Sequence, residues 1–376
     1  MIGHSHIVIV GGGLSGLTSA IHLAKADIPV LLIEKNVYPK HKVCGEYISN
    51  EVLPYLQFLD LDLDILKPSR ITEFIISTAQ GKTIKSKLSL GGFGISRFVL
   101  DHYLWNQAKI LGVHLINDQV DDIDYDDKGF MVKTARSGVI TADFVIGAYG
   151  KRSILDRKLN RKFSFNASSW LAVKSHYKAD FNSDTVALHN FKGGYAGLSM
   201  VENNRVNTCY LVNYSSFKKY KNIENFQKEV MCKNPHLQSF FKNSEPVFDQ
   251  PITISQINFT KKKAVEHHIF MVGDTAGLIH PLCGNGMAMA IQAAQILCTL
   301  LVKNYSNHEF SRLELEKEYT HQWKLTFSKR LYTGRMLQKI LIDKGFQEIA
   351  HTIANISPWI VPKIINQTHG KPLICS

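Results

Sequence analysis

The first apolar run of the chain, His6 to Val10, is β-branched at Ile7, Val8, Ile9 and Val10. Leu14, Leu17, Ala20, Ile21 and Ala24 then recur at helical spacing, and Ile28 to Ile33 forms a second buried run. Strand, helix and strand in this order predict a βαβ unit with two parallel strands. From Cys44 to Lys67 the pattern is mixed and reads as helical, whereas Ile71 to Leu90 alternates like paired strands. Ser96 is placed to cap a helix carrying Leu100, Leu104, Ala108 and Leu111, with Gly112 ending it. Val113 to Ile116 returns as a strand. Val120 to Ala142 reads as a small meander with turns at Asp127-Lys128-Gly129 and Ser137-Gly138, and Phe144 to Gly147 as another buried strand.

The texture changes after this point. Residues 167 to 214 alternate and are rich in aromatics, among them Trp170, Tyr177, Phe191, Tyr195 and Tyr210, which predicts an antiparallel sheet. Asn222 to Phe241 reads as helical, and Ile252 to Phe259 and Ile269 to Val272 as strands. Met287 to Val302 is a long apolar helix. The rest, to about Ile365, is helical and basic and carries an apolar stretch at Trp359-Ile360-Val361-Pro362.

Composition narrows the class. The 376 residues are 45% apolar and 20% charged, which excludes a disordered or fibrous chain. No run approaches ~18 consecutive apolar residues, so no spanning helix is expected. Six cysteines, at 44, 209, 232, 283, 298 and 375, form no C-x-x-C pair; they argue against a zinc ribbon and for a reducing compartment. Glycines 11 to 13 interrupt the first apolar run and no basic start precedes it, so it reads as a strand, and the expected location is the cytoplasm. The net charge is +12. Basic clusters at Lys218, Lys219 and Lys221 and at Lys261 to Lys263, set against acids from Asp118 to Asp127, read as a solvated surface. No nucleic-acid-binding motif accompanies them.

The chemistry begins at Gly11-Gly12-Gly13-Leu14-Ser15-Gly16, a G-x-G-x-x-G between strand and helix. Gly11 permits the tight turn, Gly13 clears space for a pyrophosphate, and Gly16 lets helix and strand pack closely. The helix N-terminus offers free N–H groups to phosphates. Glu34, at the end of the second strand, is placed to accept the hydroxyls of an adenosine ribose.

A second motif lies far downstream, Val272-Gly273-Asp274-Thr275-Ala276-Gly277-Leu278-Ile279-His280-Pro281-Leu282-Cys283-Gly284-Asn285-Gly286-Met287. The pair resembles the flavoprotein monooxygenase superfamily, which includes aromatic hydroxylases, flavin halogenases and geranylgeranyl reductases. The resemblance extends to about residue 302. It implies an α/β fold in which a Rossmann-like FAD-binding domain (1–70, 96–165 and 255–302) is interleaved with a β-sheet substrate domain (71–95 and 166–254), with C-terminal helices over 303–376. It also implies that Asp274 holds the ribityl chain and pyrophosphate of FAD. Gly284, Asn285, Gly286 and Met287 would then open a helix pointing at the flavin ring, where its N-terminus stabilises the negative charge of reduced flavin. Arg97 stands where the superfamily places a flavin-contacting arginine. Lys42-Val43-Cys44-Gly45-Glu46 resembles the segment after the ribose-binding acid in the reductases and halogenases.

Two departures stand out. Tyr149 occupies the position of the hydroxylases' aspartate, and Gly277 that of their histidine, as in the reductase and halogenase branches. The Trp-x-Trp-x-Ile-Pro stretch of tryptophan halogenases is absent. Cys44, Glu46 and His280 are the catalytic candidates, the last because a histidine titrates near neutral pH. His267-His268 on a strand would point to opposite faces, so no metal site is expected. The leading expectation is an FAD-dependent monooxygenase acting on a small, largely apolar molecule through a flavin C4a-hydroperoxide. The alternative is a reductase of carbon–carbon double bonds in an isoprenoid-like substrate, with a halogenase or a non-catalytic nucleotide-binding protein behind it. NADH or NADPH is the expected electron donor. The basic, apolar C-terminal region adds an expected peripheral membrane contact, while the oligomeric state is left open.

Overall fold

The computed structural model describes residues 4–342 apart from 167, 221 and 308–310, and residues 351–374 apart from 358. Lys221, Cys375 and part of the basic C-terminal stretch lie outside the described residues. The chain opens with β1 (His4–Val10), α1 (Leu14–Lys25) and β2 (Val30–Ile33). Next come β3 (Tyr47–Ser49), α2 (Leu53–Phe58) and a hairpin of β4 (Ser69–Ser77) and β5 (Thr83–Gly94). Helix α3 (Arg97–Ile110) leads to β6 (His114–Ile116) and the meander β7 (Val120–Asp126), β8 (Gly129–Thr134) and β9 (Val139–Gly147). After α4 (Ile154–Lys158) follow β10 (Trp170–Lys178), β11 (Thr185–Phe191), β12 (Gly194–Val201) and β13 (Arg205–Asn213). Short helices α5 (Tyr214–Phe217), α6 (Ile223–Glu229) and α7 (Pro235–Lys242) precede β14 (Glu245–Pro246), β15 (Ile252–Ser255), β16 (Val265–Glu266) and β17 (Ile269–Met271). Two long helices, α8 (Gly286–Asn307) and α9 (Arg312–Ile342), and a C-terminal helix, Ile360–Thr368, complete it.

The strands form two sheets. The first runs β16-β17-β9-β1-β2-β6, with β7 and β8 continuing from β9. β1 is parallel to both neighbours, Ile9 lying opposite Leu32 of β2 and Ile146 of β9. Val30 to Ile33 are all buried, as a central parallel strand requires. Helix α1 packs on this sheet and against α3 and α8. Within the apolar stretch of α8, 56% of the residues are buried, as in a core helix.

The second sheet runs β14-β10-β13-β12-β11-β4-β5-β3, with β15 added to β10. It is antiparallel except where β11 meets β4 in parallel, Ala187 opposite Ile75. That exception arises because β4 comes from an earlier excursion of the chain. The sequence pattern misses β3, since three residues are too few to show alternation. It also merges α6 and α7, which break at Val230–Asn234, where Asn234 caps the second helix on His236 N. His267 and His268 are not in a strand at all. Both have positive φ, 52° and 61°, and form the two-residue turn between antiparallel β16 and β17. Their rings reach separate partners, Leu159 O and Glu316.

Candidate active site

The glycine-rich turn shows why each glycine stands where it does. Gly11 has φ +109°, and a Cβ there would lie 2.5 Å from Ala148 O. A Cβ on Gly16 would lie 1.9 Å from Gly11 O. At Gly13 no protein atom comes closer than the Arg97 guanidinium at 3.9 Å, so the space above it is open. No side chain caps α1, and its first residues line the cavity described below. Glu34 is buried at the end of β2 and accepts hydrogen bonds from Gly12 N at 2.7 Å and Asn36 N at 2.8 Å. The Tyr38 hydroxyl donates to Gly12 O. The carboxylate thus fixes the turn while still lining the cavity.

Arg97 opens α3 directly across from Gly13. Its guanidinium is held by Asp101, one turn on, at 2.7 and 2.8 Å. Lys42 adds a bond to Asp101 at 2.8 Å. The Arg97 amide donates to Glu46 at 2.7 Å. Glu46 has φ +55° and is fully buried, with Lys174 on one carboxylate oxygen and His176 Nε2 on the other at 2.7 Å. Burial alone would push this carboxyl up; the Lys174 ammonium and the His176 hydrogen bond overcome it and hold it below the usual carboxylate range. Glu46, a catalytic candidate from the sequence, is therefore a charged anchor paired with Lys174 and His176. Neighbouring bonds fix the same loop: Asn207 donates to Cys44 O and Gly45 O, and Ser199 to Gly45 O.

The second motif closes the groove from the opposite side. Gly273 has φ +60°. Asp274 lines the cavity, and its carbonyl accepts from Lys262 at 2.7 Å. Burial of that ammonium lowers its pKa to about 8. Thr275 Oγ1 accepts from Gly150 N, and buried Arg161 donates to Thr275 O at 3.1 Å while paired with Asp156 and Glu266. The loop is thereby pinned to the end of β9. Gly284, Gly286 and Met287 line the cavity where α8 begins. Asn285 does not: its amide turns away to Thr368 O at 2.8 Å and to Glu51, which corrects the expectation that all four residues face the cofactor.

The cavity measures about 1330 Å³ and joins this groove to the face of the second sheet. Its far wall is largely aliphatic, with Ile76, Leu88, Leu188, Leu198 and Ile254, and is closed by Leu337, Val361 and Ile365 from the C-terminal helices. Half-buried Cys44 stands at the junction of the two parts. His280 is outside the lining. It is 2% exposed within a ring of Phe259, Tyr195 and Trp170, its centroid 4.7 Å from the first. Burial lowers its pKa to about 3, so it is a neutral packing residue and not the acid or base expected beside the flavin. Gly277 also has a packing reason, since a Cβ there would lie 2.9 Å from Trp323 of α9.

Sequence reasoning missed Lys174, His176 and His41. The signal was present: Lys174 and His176 stand two apart on β10, hence on one face, within an otherwise buried strand. His41, Glu46 and His176 bring donor atoms within 4.8 Å of one another, a spacing that could hold a metal ion. The Lys174 ammonium already occupies Glu46 and competes with any such ion.

The cradle at Gly13, the uncapped N-terminus of α1 and the Asp274 loop fit a flavin dinucleotide, and comparison with known proteins agrees. Residues 4–322 match the FAD binding domain family. The chain is 23% identical over 353 residues to conditioned medium factor receptor 1 of Dictyostelium discoideum, covering 85% of this chain and 68% of that one. It is 23% identical over 371 residues to the digeranylgeranylglycerophospholipid reductase of Methanococcus vannielii, covering 92% and 90%. The solved structure of the flavin-dependent brominase Bmp2 superposes with a TM-score of 0.78 at 15% identity, over 97% of this chain and 93% of that one. With its fold, its glycine turn and its second motif in agreement, the chain belongs to the FAD binding domain family and is an FAD-dependent oxidoreductase.

Proposed function

We propose that the substrate is an extended, largely apolar molecule and that the reaction reduces carbon–carbon double bonds in it. The observation that carries this reading is the aliphatic wall from Ile76 to Ile254 facing the cofactor groove. In this reading the open space at Gly13 and the first N–H groups of α1 receive the FAD pyrophosphate. Glu34 takes the adenosine ribose, Arg97 and Asp274 bracket the middle of the cofactor, and the first turn of α8 faces the ring. Bound FAD supplies two-electron, hydride-transfer chemistry. The chain's residues supply position and the proton. Glu46, Lys174, His176 and Asn207 fix the loop that presents the Cys44 thiol at the junction. The thiol gives a proton to one carbon as hydride reaches the other, and regains it from water at the groove mouth. The 90% coverage of a reductase named for an isoprenoid lipid supports the same direction.

Monooxygenation is the second reading, favoured by the apolar cover that Leu337, Val361 and Ile365 place over part of the cavity, which limits water at the reacting centre. One experiment separates the two. The FAD-loaded enzyme is reduced without oxygen, by NADH, NADPH or dithionite, and mixed with polyprenyl alcohols. Reoxidation of the flavin without oxygen, with product heavier by two hydrogens per double bond, is the expected result. Reoxidation only after oxygen is admitted, with an oxygen atom in the product, replaces the reductase reading with the monooxygenase.

A further inference from the structure

Over the part of α9 from His321 to Met336 the exposed residues are His321, Lys324, Leu325, Ser328, Lys329, Tyr332 and Met336, spaced by three and four and so on one face, while the acids Glu314, Glu316 and Glu318 fall in the first two turns. Leu325 is 71% exposed and Tyr332 60%, while Trp323, Phe327 and Leu331 bury the opposite face. From Thr320 to Leu337 the helix carries Lys324, Lys329, Arg330 and Arg335 and no acid. The segment 351–374 repeats this composition. Ile353, Ile356 and Trp359 are exposed, Ile356 by 78%; Lys363 and Lys371 are its charges, and it too has no acid. The Lys363 ammonium sits 4.3 Å from the Trp359 ring centroid. A merely solvated helix alternates charges of both signs. Aliphatic and aromatic anchors interleaved with basic residues and no acid are the composition of a surface that lies in an anionic bilayer interface.

We infer that the exposed face of α9 and the segment from Ile353 to Trp359 dock this protein on the surface of an anionic lipid bilayer. The inner side of the same elements, Leu337, Ala354, Val361 and Ile365, walls the apolar cavity. Docking therefore brings the bilayer against the elements that wall that cavity, and an apolar substrate can pass between them without crossing water. The docking itself goes beyond the proposed reaction and stands whichever chemistry the flavin performs.

The test uses the full FAD-loaded chain and no turnover. It is sedimented with vesicles of phosphatidylcholine containing phosphatidylglycerol and with vesicles of phosphatidylcholine alone, at low and high salt. Expected are binding to the anionic vesicles, weaker binding at high salt or without phosphatidylglycerol, and quenching of tryptophan emission by brominated lipid. Ile356→Asp with Trp359→Asp, and separately Leu325→Glu with Tyr332→Glu, should each lower the bound fraction about tenfold. Retained flavin absorbance certifies that the variants are folded. No binding to either vesicle, or unchanged binding in both variants, overturns the inference. So does a concentration-dependent dimer that the substitutions break in a protein that ignores vesicles, since a second copy of the chain would then be the occupant.

Discussion

The first sheet meets the cavity with backbone, the second with side chains. Around β1, α1 and the Gly273–Thr275 loop, what faces the groove is glycine, N–H groups and one or two carboxylates. Around β4, β11, β12 and β15 it is Ile76, Leu188, Leu198 and Ile254. A dinucleotide is the same molecule in every relative, and backbone geometry can be kept through extensive sequence change. A substrate wall must differ whenever the substrate does, and side chains can be exchanged without refolding the strand that carries them. This division explains how chains near 20% identity can share the cofactor end and diverge at the other.

The comparison is sharpest at two glycines. Gly16→Val puts a side chain 1.9 Å from Gly11 O, and the expected outcome is no folded, soluble protein. A Cβ at Gly13 meets no protein atom closer than the Arg97 guanidinium at 3.9 Å, so Gly13→Val should fold with a near-normal melting temperature yet emerge colourless. Flavin absorbance and circular dichroism on both variants check this; a yellow Gly13→Val protein would break the assignment of the cradle. Lys174→Met tests the other side. It strands the buried Glu46 carboxylate, which costs about 3–5 kcal/mol in urea unfolding, and adding Glu46→Gln should restore a large part. If the single variant loses less than about 1 kcal/mol, the loop carrying Cys44 is not anchored as described.

Asp274→Ala removes a charged acceptor from the groove while leaving the turn intact. The expected loss is about 1.5–3 kcal/mol, or roughly 10- to 100-fold in FAD affinity by equilibrium dialysis. The titrational effect is smallest near neutral pH and grows on acidification. Burial lowers the pKa of His22 to about 4 and of His189 and His280 to about 3. The unfolded chain binds protons near pH 6.5 that the folded one refuses, so stability is full above that pH and declines as pH falls toward 4. The slope approaches about 1.4 kcal/mol per pH unit for each histidine, and His280→Phe should remove one such contribution. A slope unchanged in that variant would return His280 to the list of titrating groups.

What could be read from the sequence follows the same division. Gly11 to Gly16, Glu34 and the Gly273–Asp274 pair were legible because each sits in a short motif at a strand end, where spacing carries the local geometry. Ser96 was legible for the same reason, and it caps α3 on Val99 N as its position suggests. Lys174 and His176 were not, because their partner Glu46 lies far away in the chain and on another element. His280 misled because proximity in sequence to the Gly284 turn does not fix the direction of a ring; Trp170, Tyr195 and Phe259 do that from elsewhere. Asn285 misled likewise, drawn off by Thr368 of a helix whose docking no local pattern reveals.

The order of strands in the first sheet sets the timetable of biogenesis. β1 and β2 leave the ribosome early, yet β1 gains its other neighbour only at residues 139–147, and β17 joins that neighbour only at 269–271. The Asp274 loop and the start of α8 come later still. A nascent chain therefore holds half of a nucleotide cradle for most of its synthesis, with an unpaired parallel edge exposed. FAD capture belongs to the last stage of translation or to the released polypeptide, and a cell short of riboflavin should accumulate this protein as an unloaded, protease-sensitive late intermediate.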